Sequence, residues 1–228
     1  MARASFIKAA RKAIYNHGKR VEYVSKKGKR EGQTLSKIDR TIPADENDTI
    51  LINIGESYYT WSFMNGGTFY SKDKPRQSQL TQSSFLSEYY AIQESIEDFK
   101  PEEPDEIESF VDEIKSRLEE LRDQCQESLD NMPESLQYSP TGELLQERID
   151  GLEETISEFE NLDFDFEEPD SENEDFLGEI AAEEGIDQDD ENWKEQIDED
   201  MIESMKTSKR ESWIEEKVEE ISGIEFGL

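Results

Sequence analysis

Cysteine and histidine are almost missing from this chain: its 228 residues include one of each, Cys125 and His17. A single cysteine excludes an internal disulfide framework and fits a reducing compartment, so a cytoplasmic protein is expected. A structural zinc site draws four ligands mainly from Cys and His, and none is expected here. The same scarcity leaves a Ser-His-Asp arrangement dependent on His17, which sits in a basic stretch where an ordinary surface role is the rule. No cations neighbour Cys125 in sequence to stabilise a thiolate, so it reads as a small apolar residue on a helix seam. Long apolar runs are also lacking. The longest, such as Ile50–Ile52, fall far short of the roughly 20 residues that cross a bilayer, and mean hydropathy is −0.92 with 33% hydrophobic residues. Neither G-x-x-x-x-G-K-[ST] nor G-x-G-x-x-G occurs, which removes the glycine loops that cradle nucleotide phosphates.

Acids are what the chain has in excess: 58 Asp and Glu against 25 Lys and Arg, a formal net charge of −33. With so many carboxylates, no chosen pair identifies a hydrolase. The stretch "DQDDENWKEQID", Asp187 to Asp198, has acids where a calcium loop needs several of them. Asn192, however, stands where that loop requires glycine, and Asp198 where it requires a bidentate Glu. No catalytic residue, metal or cofactor is therefore expected, and the chain reads as a non-enzyme.

The charge is distributed unevenly. Residues 1 to 40 hold twelve Lys and Arg against three acids, net +9, whereas residues 101 to 228 hold nine against 46, net −37. Such a split bears on partners rather than on fold: the front attracts phosphate and the rear repels it. The first twenty residues are basic and acid-free, with neither an apolar h-region nor a small-residue cleavage site for secretion.

Periodicity organises the chain into three parts. Residues 1–100 read as a basic, aromatic α+β module. Phe6, Ala9, Ala10, Ala13 and Ile14 predict a short helix over 4–15, and two strands follow around Val21–Tyr23 and Leu35–Ile38. "TILINI" predicts a strand with Ile50, Ile52 and Ile54 on one face. In "YYTWSFMNGGTFY" the pair Asn65-Gly66 predicts a two-residue hairpin turn that sets Trp61 opposite Tyr70. On that register Tyr59, Trp61, Phe63 and Tyr70 share one face, while Tyr58, Met64 and Phe69 share the other. Thr81 then caps a helix over 82–99 that covers the sheet.

Residues 101–162 read as an antiparallel helical hairpin. Its seam is carried by Ile107, Ile114, Leu118 and Leu121 in one arm and by Leu145, Ile149, Leu152 and Ile156 in the other. Two helices bury little, so a second copy or residues 1–100 are expected to complete the packing. Residues 163–228 read as an acidic, partly disordered tail with short helices near Trp193–Ile202 and Trp213–Ile221.

The stretches "NIGESYYTWSFMNGGTFYSKDKPRQSQLTQSSFLSEYYAIQESI", "LDNMPESLQ" and "LLQERIDGLEETISEFENLDFD" resemble a family of uncharacterised bacteriophage and phage-related bacterial proteins. The shared pattern is the aromatic strand Tyr58 to Phe63, the turn Tyr70 to Lys72, the cap Ser78 to Thr81 and the helix start Phe85 to Ser87, within about residues 5 to 165. The resemblance implies a context, the cytoplasm of a bacterial host, and no chemistry.

Two functional features remain. Lys26, Lys27, Lys29, Arg30, Lys72, Lys74 and Arg76 are placed to contact phosphates while Tyr58, Trp61 or Tyr70 stack on bases, a nucleic-acid module that the acidic tail would cover. Against this, small domains need their aromatics inside, which would leave the cations as a solvated rim. The carboxylates of the helical region, in turn, resemble the spaced phosphates of DNA and suit the groove of a basic, nucleic-acid-handling host protein. The plainer reading of that region is a soluble coiled-coil face, and a further one is a virion or scaffold component that self-associates through the heptad seam. An acidic interaction protein, acting as a DNA mimic, is the expectation preferred here.

Overall fold

A computed structural model describes residues 1–16, 49–64, 66–190 and 192–227. The fold is α+β: a three-stranded and a two-stranded antiparallel sheet, followed by helices. The chain divides into two compact units, Met1–Ala91 and Ile92–Leu228.

In the first unit, β1 (Ser5–Ile7), β4 (Tyr58–Ser62) and β5 (Thr68–Ser71) form a sheet with β4 in the centre, and β2 (Ile14–Asn16) pairs with β3 (Thr49–Ile52) in a separate ribbon. The helix expected over 4–15 does not form. Its alanines and lysines favour helix only weakly over so short a stretch, where nucleation is costly. Pairing decides instead: Phe6 stands opposite Tyr59 in the sheet, Ala10 donates its N–H to the Glu56 carbonyl, and Gly55 donates back to the Ala10 carbonyl. Gly55 takes φ +89°, a left-handed turn that suits glycine. Ala10, Ile14 and Ile52 make a small buried core against which Leu51, Tyr58 and Tyr70 pack. Of the three isoleucines expected on one face, only Ile52 is buried: Ile54 lies past the end of the strand, where the chain turns toward Gly55, and Ile50 is exposed beside the irregular register between Ile14 and Tyr15. The strands expected around Val21 and Leu35 lie outside the described residues.

The hairpin register differs from expectation by one residue. Trp61 pairs with Phe69 and Thr60 with Tyr70, because the connection takes the five residues 63–67 rather than the two of an Asn-Gly turn. A one-residue slip moves every side chain of the second strand to the other face. Phe69 therefore joins Tyr59 and Trp61, while Tyr70 joins Tyr58.

After a 3₁₀ turn, Gln77–Leu80, helix α1 spans Ser84–Asp98. Ser83 caps it rather than Thr81, its hydroxyl accepting from the Leu86 N–H at 3.3 Å while Thr81 accepts from Ser83 one step earlier.

The second unit is helical. α2 (Pro104–Asp130) and α4 (Pro140–Glu160) are the two arms of the hairpin, joined through the single turn α3 (Glu134–Gln137). Pro104 opens α2 and Pro140 opens α4, positions where the missing N–H is harmless. The seam is buried at Ile107, Val111, Ile114, Leu118, Leu121, Cys125, Ile149, Leu152, Ile156 and Phe159, while Leu129 and Leu145 are half-buried.

The residues beyond 162 contain more structure than their composition predicts. α5 (Glu174–Glu184) buries Phe176, Ile180 and Ala181 and ends on Gly185 at φ +71°. The two short helices expected in the tail are instead one 3₁₀ turn, Trp193–Gln196, and one 24-residue helix, α6 (Glu199–Ser222). α6 packs on α2 and on α5, so the chain itself supplies the packing expected from a second copy or from residues 1–100. Its fixed points are the Phe166–Trp213 ring contact at 5.3 Å and the buried Ile214 and Ile221. The last described residues then lie across α4. Phe226 meets Phe159 edge to face at 6.4 Å, and a Cβ placed on Gly227 would lie 3.4 Å from the Gly151 Cα.

Helix ends here go against the usual charge rule. Negative charge near a helix C-terminus opposes the macrodipole, and Lys or Arg is the common choice there. α2, α4, α5 and α6 have no basic residue in the last turn, where Glu127, Asp130, Glu158, Glu160, Glu183, Glu184, Glu219 and Glu220 stand instead.

Candidate functional site

The structure separates the aromatic and basic residues that the sequence grouped. Tyr58 and Tyr70 lie 6.0 Å apart on the sheet face that packs against Ala10, Ile14 and Ile52, so they belong to the core of the first unit. Trp61 is on the opposite face, buried, with its ring stacked 5.7 Å from Phe69. Its Nε1 is buried with no acceptor among the described residues. Lys72 is held by Glu56 at 3.1 Å, Lys74 is exposed, and the Arg76 N–H is bonded to the Gln79 side chain. Lys26, Lys27, Lys29 and Arg30 lie outside the described residues. Phe6, Tyr59 and Phe69 share the face of Trp61, and sequence reasoning missed their grouping because no residue type in the turn announces its length.

Glu56 closes this end of the sheet. Its carboxylate accepts from the Asn53 backbone and side-chain N–H groups at 2.8 and 3.2 Å and then meets Lys72, which together hold it below the usual carboxylate range. A carboxyl with a depressed folded-state pKa adds stability above its unfolded pKa and loses it as pH falls through the folded value. Glu56→Gln is therefore expected to lower the melting temperature near pH 7, and this deficit should shrink as pH falls below the usual carboxylate range and Glu56 is protonated. Melting curves of the two proteins across that range check it, and a deficit that does not depend on pH would contradict it.

The helical unit offers a different surface. From Ile92 onward there are 49 Asp and Glu against ten Lys and Arg, net −39, while Met1–Ala91 holds nine acids against 15 cations, net +6. Every one of those 49 acids is exposed except half-buried Glu94 and the undescribed Glu191. Eight of the ten cations are half-buried, Lys100 and Lys194 being the exceptions. At least seven of the ten are engaged in ion pairs, including Lys115 with Asp112 at 2.9 Å, Lys217 with Glu220 at 2.8 Å and Lys209 with Glu179. Arg210 reaches Glu103 and Glu168 at 3.7 Å, and Lys206 also reaches Glu168, at 3.6 Å. These contacts pin the segment after α4 to α6. They line a cleft of about 640 Å³ with Phe164, Phe166 and the carboxylates of Asp105, Glu108 and Asp165.

Burial on the seam pushes the Cys125 thiol up, against a smaller opposing pull from the Arg148 charge. Among the described residues no group of His, Cys, Asp and Glu is arranged to hold a metal. In the stretch tested as a calcium loop, Asp187 and Asp190 accept backbone N–H groups of Asp189 and Asn192. No helix among the described residues is long and apolar enough to cross a membrane.

No protein-family profile matches the chain, and no curated protein or solved structure shows significant similarity to it.

Proposed function

We propose that the helical unit is a non-enzymatic interaction surface that occupies the nucleic-acid groove of a basic protein, as a mimic of DNA. One observation supports this reading above the others: the unit turns its carboxylates outward and its few cations inward. Composition alone would scatter both signs over the surface, as in ordinary soluble domains. Here the cations are spent on internal pairs, so an approaching partner meets carboxylates with little opposing charge. Long-range attraction of this kind raises association rates and falls with ionic strength. The resemblance to phage-related proteins supplies a setting, the cytoplasm of a bacterial host, in which blocking a nucleic-acid enzyme is useful. The seam residues that would drive self-assembly of a scaffold are buried within the chain, and that reading is not taken further.

The test is displacement. DNA-cellulose carrying the DNA-binding proteins of a bacterial lysate is washed with the purified chain at low salt. The expected result is release of a discrete basic protein that co-elutes with the chain in gel filtration and separates from it at high salt. If a large molar excess of the chain releases nothing, the proposal fails.

A further inference from the structure

The hairpin register creates a surface on the first unit that the proposal above does not use. Phe6 on β1, Tyr59 and Trp61 on β4 and Phe69 on β5 share one face of the three-stranded sheet. They form two rows. Phe6 and Tyr59 lie 5.0 Å apart in one, and Trp61 and Phe69 lie 5.7 Å apart, nearly parallel at 15°, in the other. The rows are two residues apart along β4, or about 7 Å. Phe6 is 53% exposed and Phe69 45% exposed, whereas Trp61 is buried and backs Phe69.

Strand direction places charge beside these rings. β1 and β5 both run antiparallel to β4, so their C-terminal ends lie at the same end of the sheet. Lys8 directly follows β1 and, two residues on from Phe6, falls on the side of Phe6 and Tyr59 by strand alternation, whereas Lys72 after β5 falls on the other side and pairs with Glu56. The unit that holds them is net positive, +6, in a chain that is otherwise strongly negative.

From this arrangement we infer that the Phe6, Tyr59 and Phe69 face binds single-stranded nucleic acid, stacking successive bases on the two aromatic rows while Lys8 at the edge of the net-positive unit meets the phosphates. Exposed rings beside a positive edge are what sequence-tolerant single-strand binders use, because every base has a π-face. A duplex keeps its base faces stacked inside, and short strands on a flat sheet do not enter its grooves as a helix does. Charge complementarity selects a phosphate-bearing occupant over an acidic peptide, which has no comparable planar faces to offer.

The experiment is fluorescence anisotropy of a labelled oligo-dT, an oligo-U and a duplex of equal length, titrated with the full chain at low salt. Either single strand is expected to bind at least tenfold tighter than the duplex. Phe6→Ala and Phe69→Ala should each weaken binding by roughly 5- to 150-fold. Phe6→Leu and Phe69→Leu keep the apolar volume and remove the π-face, so a matching loss in these variants, with an unchanged melting curve, separates stacking from misfolding. Tyr58→Phe and Tyr70→Phe, on the core face, should change affinity by less than about twofold. Absence of binding to both single strands, equal affinity for the duplex, or undiminished binding by the leucine variants would each overturn the assignment.

Discussion

Gly151→Ala is expected to destabilise the helical unit by about 1–3 kcal/mol, the usual range for forcing extra volume into a packed contact. The sign is what makes this informative. Within a helix, alanine is ordinarily favoured over glycine by close to 1 kcal/mol, and Gly151 sits in the middle of α4. A Cβ at this position, however, would lie 1.8 Å from the Gly227 carbonyl oxygen and 2.8 Å from its carbon. Neither partner is a flexible side-chain end, so the crossing backbone must lift away, taking Phe226 off Phe159. A thermodynamic cycle isolates the cause. Urea unfolding of Gly151→Ala should show the loss in the full chain and a gain of about 1 kcal/mol when residues 224–228 are removed. If the substitution stabilises the full chain, the terminal segment is not seated on α4.

Phe159→Ala should cost about 3–5 kcal/mol, at the upper end of core truncations. Phe159 has no exposed surface and lies near the end of α4, where the seam with α2 finishes and the Phe226 ring arrives. Its removal empties a site walled by two elements that cannot both close in without giving up contacts of their own. Leu144→Ala, in the same helix but 44% exposed, should cost well under 1 kcal/mol. Comparing the urea midpoints of these two variants checks the expectation. Equal losses would mean that the α4 face has been misassigned.

What the sequence made legible follows from the range of the interactions involved. The α2–α4 hairpin could be read because its signal is local and repeated: Ile107, Ile114, Leu118 and Leu121 recur at helical spacing, and Pro133, Pro140 and Gly142 mark the break. The β-hairpin could be recognised but not registered. Asn65-Gly66 is a sound turn signal, yet the number of residues in the connection is set by how the strands pack, and an error of one exchanged Phe69 and Tyr70 between faces. That error set Tyr70 beside Trp61, whereas the sheet sets it beside Tyr58 on the other face. Residues 4–15 failed for a related reason, since strand partners some fifty residues away outweighed a weak helical preference. The contacts of α6 with α2, and of Gly227 with Gly151, depend wholly on tertiary arrangement and leave no periodic trace. The inward placement of Lys115, Lys206 and Arg210 was equally hidden, because charge counts do not say which side of a helix faces a neighbour.

The acidic last turns of α2, α4, α5 and α6 tie recognition to folding. A carboxylate at a helix C-terminus opposes the macrodipole by about 0.3–1 kcal/mol where no cation offsets it, as Lys217 does for Glu220, so the free protein retains repulsion that a lysine or arginine from outside would relieve. A cationic partner would then act as a ligand for the native state alone, stabilising it by about 2.7 kcal/mol at a hundredfold excess over its Kd. Under the proposed function, protection from proteolysis in the cell would depend on how much of that partner is present, and the abundance of the acidic protein would follow that of the partner.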